Sequence, residues 1–236
     1  MGYDNENSEP LVLDIETMAR AGIEALLDKP SAPANYKDPV KIEAVIAEKT
    51  AALIDNAALN LYLNQITCIG IWAPSLGFQF VIAKDLIAEK AALAALALVI
   101  GNSGHRRRVI GFNSLDFDFP NLIERAVGFH ELEFPLYRDD ITPKWKHANS
   151  DLMEHMTYGG RFAKRSLDFY CAVRGIDSDE PDDIKKLHGS DMPRLAAEGK
   201  WDLIAGHCRH DLKRTVKLAI REKLVSHVER IEVAAF

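Results

Sequence analysis

The chain has 236 residues, 47% hydrophobic and 27% charged, with a net charge of −6. That length supports one large domain or two small ones, with a substantial core. The acidic balance argues against a protein that coats nucleic acid, since phosphate neutralisation drives such binding, but it leaves room for an enzyme that meets nucleic acid transiently. No apolar run reaches membrane-spanning length, and the longest, residues 91–100, stops at Gly101-Asn102. The opening MGYDNENSEP is polar and acidic, so neither a secretory signal nor a myristoylation motif is expected. Cys68, Cys171 and Cys208 have no close pair in sequence, which fits a reducing compartment without a disulfide framework. A cytoplasmic enzyme without membrane contact is the default expectation.

Residues 1–9 read as a disordered lead-in. Leu11-Val12-Leu13-Asp14-Ile15-Glu16-Thr17 then reads as a buried strand carrying two carboxylates. A strand points residues i and i+2 to one face, so Asp14 and Glu16 lie side by side. Two like charges there repel and raise one pKa unless a cation sits between them. A divalent metal on hard oxygen ligands is the candidate; a surface strand with two solvated acids is the plain alternative. Residues 18–38 are irregular, with loop signals at Pro30, Pro33 and Asn35-Tyr36. Asp38 caps a helix over about residues 39–58, with Pro39 at its first position and Ile42, Val45, Ile46, Ala52 and Leu53 on its apolar side. Residues 18–64 therefore form a helical insertion of about fifty residues between the first two strands, suited to a substrate-contacting arm or to simple packing.

Residues 66–72 read as a second strand, and 78–83, after a Pro74-Ser75 turn and Gly77, as a third; the short connection implies an antiparallel hairpin. An Ala/Leu-rich helix over 83–100 ends at the break Gly101-Asn102-Ser103-Gly104. Residues 109–113 form a fourth strand, and a helix starts at Pro120 and runs to about Val127. Residues 128–158 carry a weaker pattern. Ser166 caps a helix that runs to Arg174 and stops at Gly175. The acidic run 177–183 lacks the glycine at position six and glutamate at position twelve of a calcium loop, and reads as solvated. Helices follow over about 192–198 and from Trp201 past Lys223. The order βββαβα followed by helices predicts an α/β fold, a central mixed sheet of about five strands flanked by helices, in a single domain over 1–236.

Two further stretches carry candidate chemistry. Asp118 lies at the turn between the fourth strand and its helix, where a helix N-terminus favours an anion and α/β sheets commonly place ligands. His207 and Asp211 are one turn apart on a common face of the last helix. Alone, Asp118 reads better as an ordinary turn aspartate, and the plain alternative for His207 and Asp211 is a surface i,i+4 ion pair. A zinc site from His207, Cys208 and His210 is excluded, because neighbouring helical positions do not converge on one ion.

Together these pieces resemble a family. Asp14-Ile15-Glu16-Thr17, then Asn113-x4-Asp118 with Phe117 and Pro120, then His207-x3-Asp211 look like the three exonuclease motifs of the DEDD (DnaQ-like) 3′–5′ exonucleases. The nearest likeness is to the predicted exonucleases related to the proofreading domain of family-B DNA polymerases. Ser166-Leu167-Asp168, Gly189-Ser190, Gly199-Lys200-Trp201 and residues 204–215 add to it, and the resemblance covers residues 11 to about 218. It implies a ribonuclease H-like fold and hydrolysis of nucleotides from a 3′ end. It also implies that Asp14, Glu16, Asp118 and Asp211 hold two Mg²⁺ or Mn²⁺ ions roughly 4 Å apart, with His207 orienting or deprotonating water. Thr17, Asn113 and Phe117 stand at its substrate-contacting positions.

One departure stands out. The spacing of four before Asp211 is that of a subgroup with tyrosine at the position of His207, whereas the histidine-bearing subgroup uses a spacing of five. All four carboxylates remain, so activity is expected to be retained; a weakened or inactive protein is the alternative. Basic clusters at Arg106-Arg107-Arg108, Lys144-Trp145-Lys146 and Lys185-Lys186 are candidate phosphate contacts. The best of the basic clusters is Arg161-Phe162-Ala163-Lys164-Arg165, where Arg161, Lys164 and Arg165 surround an aromatic ring, which suits a single-stranded 3′ end, DNA being the expected substrate. The enzyme is expected to act alone or beside a separate polymerase or repair partner. Two other readings stay open: a non-catalytic nucleic-acid-binding module, and a phosphodiesterase acting on small nucleotides.

Overall fold

Leu11, Leu13 and Ile15 alternate with Val12, Asp14 and Glu16 along the first strand, and both sets are enclosed. A strand buried on both faces belongs in the middle of a sheet with helices on either side. The computed structural model, which describes residues 9–101, 107–142 and 150–225, has that arrangement. Strand β1 spans Leu11–Ala19, helix α1 Pro39–Ala57, β2 Asn64–Ala73, β3 Gly77–Ile82, α2 Leu86–Ile100, β4 Val109–Ile110 and α3 Asp118–Gly128. The remaining helices are α4 Leu152–Met156, α5 Leu167–Arg174, α6 Asp182–Lys185, α7 Met192–Ala197 and α8 Trp201–Arg221. The lead-in 1–8, the break at Asn102-Ser103-Gly104, Arg106 and Lys144-Trp145-Lys146 lie outside the described residues.

The sheet order is β3-β2-β1-β4, with β1 antiparallel to β2 and parallel to β4, so it is mixed. Among the described residues it has four strands rather than the expected five or so. A single parallel bridge joins Gly111 to Asp151 where a fifth strand would pair. The ladder stops there because the Asp151 carboxylate turns back onto the Met153 and Glu154 amides, starting α4 instead of extending a strand.

The odd positions of β1 pack with Ile69, Ile71, Leu93, Leu96 and Leu122 under α2 and α3. A buried ion pair fastens that layer: Arg125 Nε and Nη2 donate to the two Glu89 carboxylate oxygens at 2.7 and 2.6 Å, and Ile66 N donates to Glu89 at 2.9 Å. On the opposite face Val12, Trp72 and Ile110 pack against Leu212 and Val216 of α8. Gly70, paired with Asp14 across β1 and β2, sets how close α8 comes. A Cβ at Gly70 would stand 2.8 Å from Cys208 Sγ and 3.2 Å from Leu212 Cδ2. Absence of a side chain there lets the helix carrying His207 and Asp211 sit directly on the strand carrying the first two acids.

Helix α1 begins as its sequence predicts, with Val40 N donating to Asp38 and Pro39 in the first turn. Its side chains are mostly exposed or half-buried, Ala57 being its one buried residue. The insertion returns to the sheet through Ala58, whose carbonyl accepts from Thr17 Oγ1 at 2.7 Å and from Asn64 Nδ2 at 3.2 Å. No helix of the described residues is long and apolar enough to cross a membrane.

Candidate metal centre

Three separated segments meet beside β1. The strand supplies Asp14 and Glu16, the first turn of α3 supplies Asp118, and α8 supplies His207 and Asp211. The helix starts at Asp118 rather than at Pro120, so Asp118 is its first residue, and its Oδ1 accepts from Ile15 N at 3.1 Å, between the two strand acids. His207 Nε2 lies 3.7 Å from Glu16 Oε1 and 3.9 Å from Asp211 Oδ2, too far for hydrogen bonds but directed between them. Glu16, Asp118 and His207 are each less than a tenth exposed.

The loop leading to Asp118 is held by Asp151. Its carboxylate accepts from Asn113 N at 3.1 Å and Leu115 N at 2.9 Å. Asn113 takes a left-handed conformation, φ 58, which asparagine tolerates better than most side chains. Its carbonyl accepts from Asp116 N and Phe117 N, while Phe117 packs on the α2–α3 core. Thr17, turned toward Ala58, and Asn113 therefore have structural bonds as well as positions next to the acids.

Electrostatically the centre is overloaded with acid. Enclosure of the Asp14 carboxylate, with Asp211 and Asp118 nearby, raises its pKa well above the usual range. Burial raises Glu16 likewise, with Asp14 next in importance. Burial pushes Asp118 up to about 8, against the opposing effect of hydrogen bonds from its own backbone and from Ile15. Burial lowers His207, with Asp211 acting in the opposite direction, so the imidazole is neutral near pH 7. Asp14 Oδ2 and His207 Nδ1 are enclosed with no hydrogen-bond partner among the described residues. An unpaired buried carboxylate oxygen among acids whose pKa values burial has raised is what a cation would resolve, so these residues fit a divalent metal.

Asp211 differs from the other three. Arg214, also buried, donates from Nη2 to Asp211 Oδ1 at 2.6 Å and from Nη1 to Asp168 at the start of α5. One Asp211 oxygen is thus committed to a guanidinium while Oδ2 faces His207. Cys208 is a second unexpected neighbour. Its Sγ and carboxylate oxygens of Asp14 and Glu16 all lie within 4.8 Å of one another. His210, by contrast, turns away to hydrogen-bond Ser178, so the rejected zinc triad does not form. Asp151, Arg214 and Cys208 were not selected by motif reading. Three-residue spacing from Asp211 puts both Cys208 and Arg214 on its helix face, the signal that could have found them.

In the basic loop, Lys164 is bound to Asp116 at 2.7 Å and Glu154 at 2.9 Å, clamping it to the segment bearing Asp118. Arg165 stacks over Phe169 with 5.6 Å to the ring centre. Arg161 lines a cleft beside α4. Arg107 pairs with Glu9, and Lys185 with Asp177.

Comparison with solved structures finds a likeness for this architecture. The fold resembles part of a DNA polymerase. The family B DNA polymerase of the hyperthermophilic archaeon Pyrobaculum calidifontis superposes with a TM-score of 0.55 at 15% identity, over 91% of this chain and 24% of the polymerase chain. The chain thus spans about a quarter of that protein's length. No family model and no curated protein matches the sequence.

Proposed function

We propose that this chain is a metal-dependent 3′–5′ exonuclease with a ribonuclease H-like fold, acting on single-stranded nucleic acid, with DNA as the expected substrate. The observation that carries the reading is the convergence of Asp14, Glu16, Asp118 and Asp211 with a neutral His207, where Asp14 Oδ2 is buried and left unpaired. The order and spacing of the three motifs and the likeness to a polymerase segment support it. Asp14, Glu16, Asp118 and Asp211 would hold two Mg²⁺ or Mn²⁺ ions, which supply charge to acidify an attacking water and to stabilise the leaving 3′ oxygen. His207, neutral and directed between Glu16 and Asp211, orients that water and accepts its proton at Nε2. Asp118 fixes the α3 segment to β1 through Ile15. Arg214 restricts Asp211 to presenting Oδ2 toward the site.

The test is a panel of labelled single-stranded DNA, duplex DNA, RNA and dinucleotides with Mg²⁺ or Mn²⁺, comparing wild type with Asp14→Ala. Shortening of the single strand from its 3′ end by wild type alone is expected. Equal metal-dependent cleavage by Asp14→Ala would defeat the assignment. The guanidinium of Arg214 on Asp211 favours a second reading, a nucleic-acid-binding module in which an internal cation has replaced metal. Tight strand binding with no cleavage of any substrate is its signature. A separate polymerase or repair protein is the partner class the likeness suggests.

A further inference from the structure

Exposed aromatic and basic side chains gather in the loop between α4 and α5, outside the carboxylate centre. The loop after α4 turns through three successive left-handed residues, Tyr158 at φ 56, Gly159 at φ 71 and Gly160 at φ 81. Glycine adopts this freely, but a bulky tyrosine does so only under constraint, and such strain gathers where a side chain must be aimed. Here it directs Tyr158 outward, 72% exposed, in edge contact with Phe162, 64% exposed, at 5.6 Å between ring centres. Further along the chain Phe169, 48% exposed, carries Arg165 over its face, next in sequence to Asp168, which bonds Arg214. Beside this strip opens a cleft of about 480 Å³ whose lining includes His155, Tyr158, Arg161 and Arg174.

Charges around this strip are sorted in one direction. Glu154, in the cleft lining, is neutralised by Lys164, and Glu222 by Arg174 at 2.8 Å. Arg161 and Arg165 have no acidic partner among the described residues. Exposed rings interleaved in sequence with guanidiniums that lack an acidic partner match a chain that alternates flat apolar bases with phosphates. Two residues of this segment are tied to the centre: Lys164 bonds to Asp116, two residues before Asp118, and Asp168 shares Arg214 with Asp211. Arg174 lies about 9 Å further along α5 than Asp168, at the helical rise per residue.

We propose that this strip binds the single strand upstream of its 3′ end, with unstacked bases on Tyr158 and Phe162 and phosphates on Arg161 and Arg165. The upstream direction rests on the exonuclease reading; the ligand class does not. Binding is therefore measured without metal, by fluorescence anisotropy of labelled oligothymidylate in EDTA, for wild type, Tyr158→Ala/Phe162→Ala, Tyr158→Trp/Phe162→Trp and Arg161→Ala. The double alanine variant is expected to lose about 30-fold or more in affinity for the oligonucleotide. The tryptophan variant should bind as wild type does, separating stacking from loop collapse. Arg161→Ala should shallow the slope of log affinity against log salt by about 0.7.

Affinity unchanged in the double alanine variant, or lost equally in the tryptophan variant, overturns the site. If alanine weakens binding while wild type cleaves nothing, the strip stands and the nuclease reading falls. If wild type cleaves and the alanine variant binds and cleaves long and short substrates as wild type does, the nuclease reading stands and the strip falls.

Discussion

Replacing Asp118 by asparagine in the metal-free protein tests the electrostatics of the centre directly. Folding moves the Asp118 pKa from 3.8 to about 8, so the folded state binds a proton that the unfolded chain has released across that range. Stability therefore falls as pH rises, by up to about 1.4 kcal/mol per pH unit for each proton of difference, and levels off above about pH 8. Raised pKa values at Asp14 and Glu16 act in the same direction. His207 and His210 act oppositely, because burial lowers both, but their contribution is complete above about pH 6.5. The clean window is pH 6.5 to 8. For a chain of this size 1 kcal/mol corresponds to roughly 2–4 °C in Tm, so Asp118→Asn should flatten the slope by about 3–6 °C per pH unit. Asparagine keeps an oxygen for Ile15 N and is neutral throughout, so the fold is retained. Differential scanning calorimetry in EDTA measures it. A wild-type Tm that is flat or rises from pH 6.5 to 8, or an unaltered slope in the variant, would refute the reasoning. Saturating Mn²⁺ should raise Tm more at pH 8 than at pH 6.5, since ionised carboxylates are the ligands.

Arg125→Ala should cost about 3–5 kcal/mol by leaving Glu89 buried and unpaired, whereas Glu89→Leu/Arg125→Met should cost less; chemical denaturation decides, and a single mutant milder than the double would count against the pair. Gly70→Ala places a methyl 2.8 Å from Cys208 Sγ and 3.0 Å from Phe80 Cε1. Overpacking there should cost about 1–3 kcal/mol and reduce Mn²⁺ affinity by calorimetric titration as α8 lifts from β1, with undiminished metal affinity contradicting the packing argument. At saturating metal, cleavage by wild type should climb with pH below about 6.5, as His207 becomes neutral. His207→Tyr should cleave without that acid limb, and a limb that persists in the tyrosine variant would transfer it to another group.

How much of this was legible depended on how local the signal is. The Ser166 cap and left-handed Gly175 bound α5 as expected, because each acts within one turn. Asp14 and Glu16 share a face because strand geometry requires it, and His207 and Asp211 because helix geometry does. The fifth strand failed for a nonlocal reason: Asp151 satisfies four backbone amides, two of them on the loop after β4, and thereby ends pairing at one bridge. Arg214 gave no motif because its two partners, Asp168 and Asp211, are brought together only by packing of α5 on α8. Lys164 reads in sequence as one more phosphate-seeking cation; folding gives it two carboxylates.

The contact between β1 and α8 also bears on how the molecule assembles. Cys208 Sγ approaches the Asp14 carbonyl at 3.8 Å across 194 residues of sequence, so the centre closes one of the longest loops in the chain. Long-range closure carries its entropy cost before any contact rewards it, and such contacts form late and slowly. A partly folded chain would hold Asp14 and Glu16 on β1, paired with β2, without the helix that completes their surroundings. Slow acquisition of metal affinity during refolding, lagging behind β-sheet formation, is the kinetic signature of a centre whose two halves are written at opposite ends of the sequence.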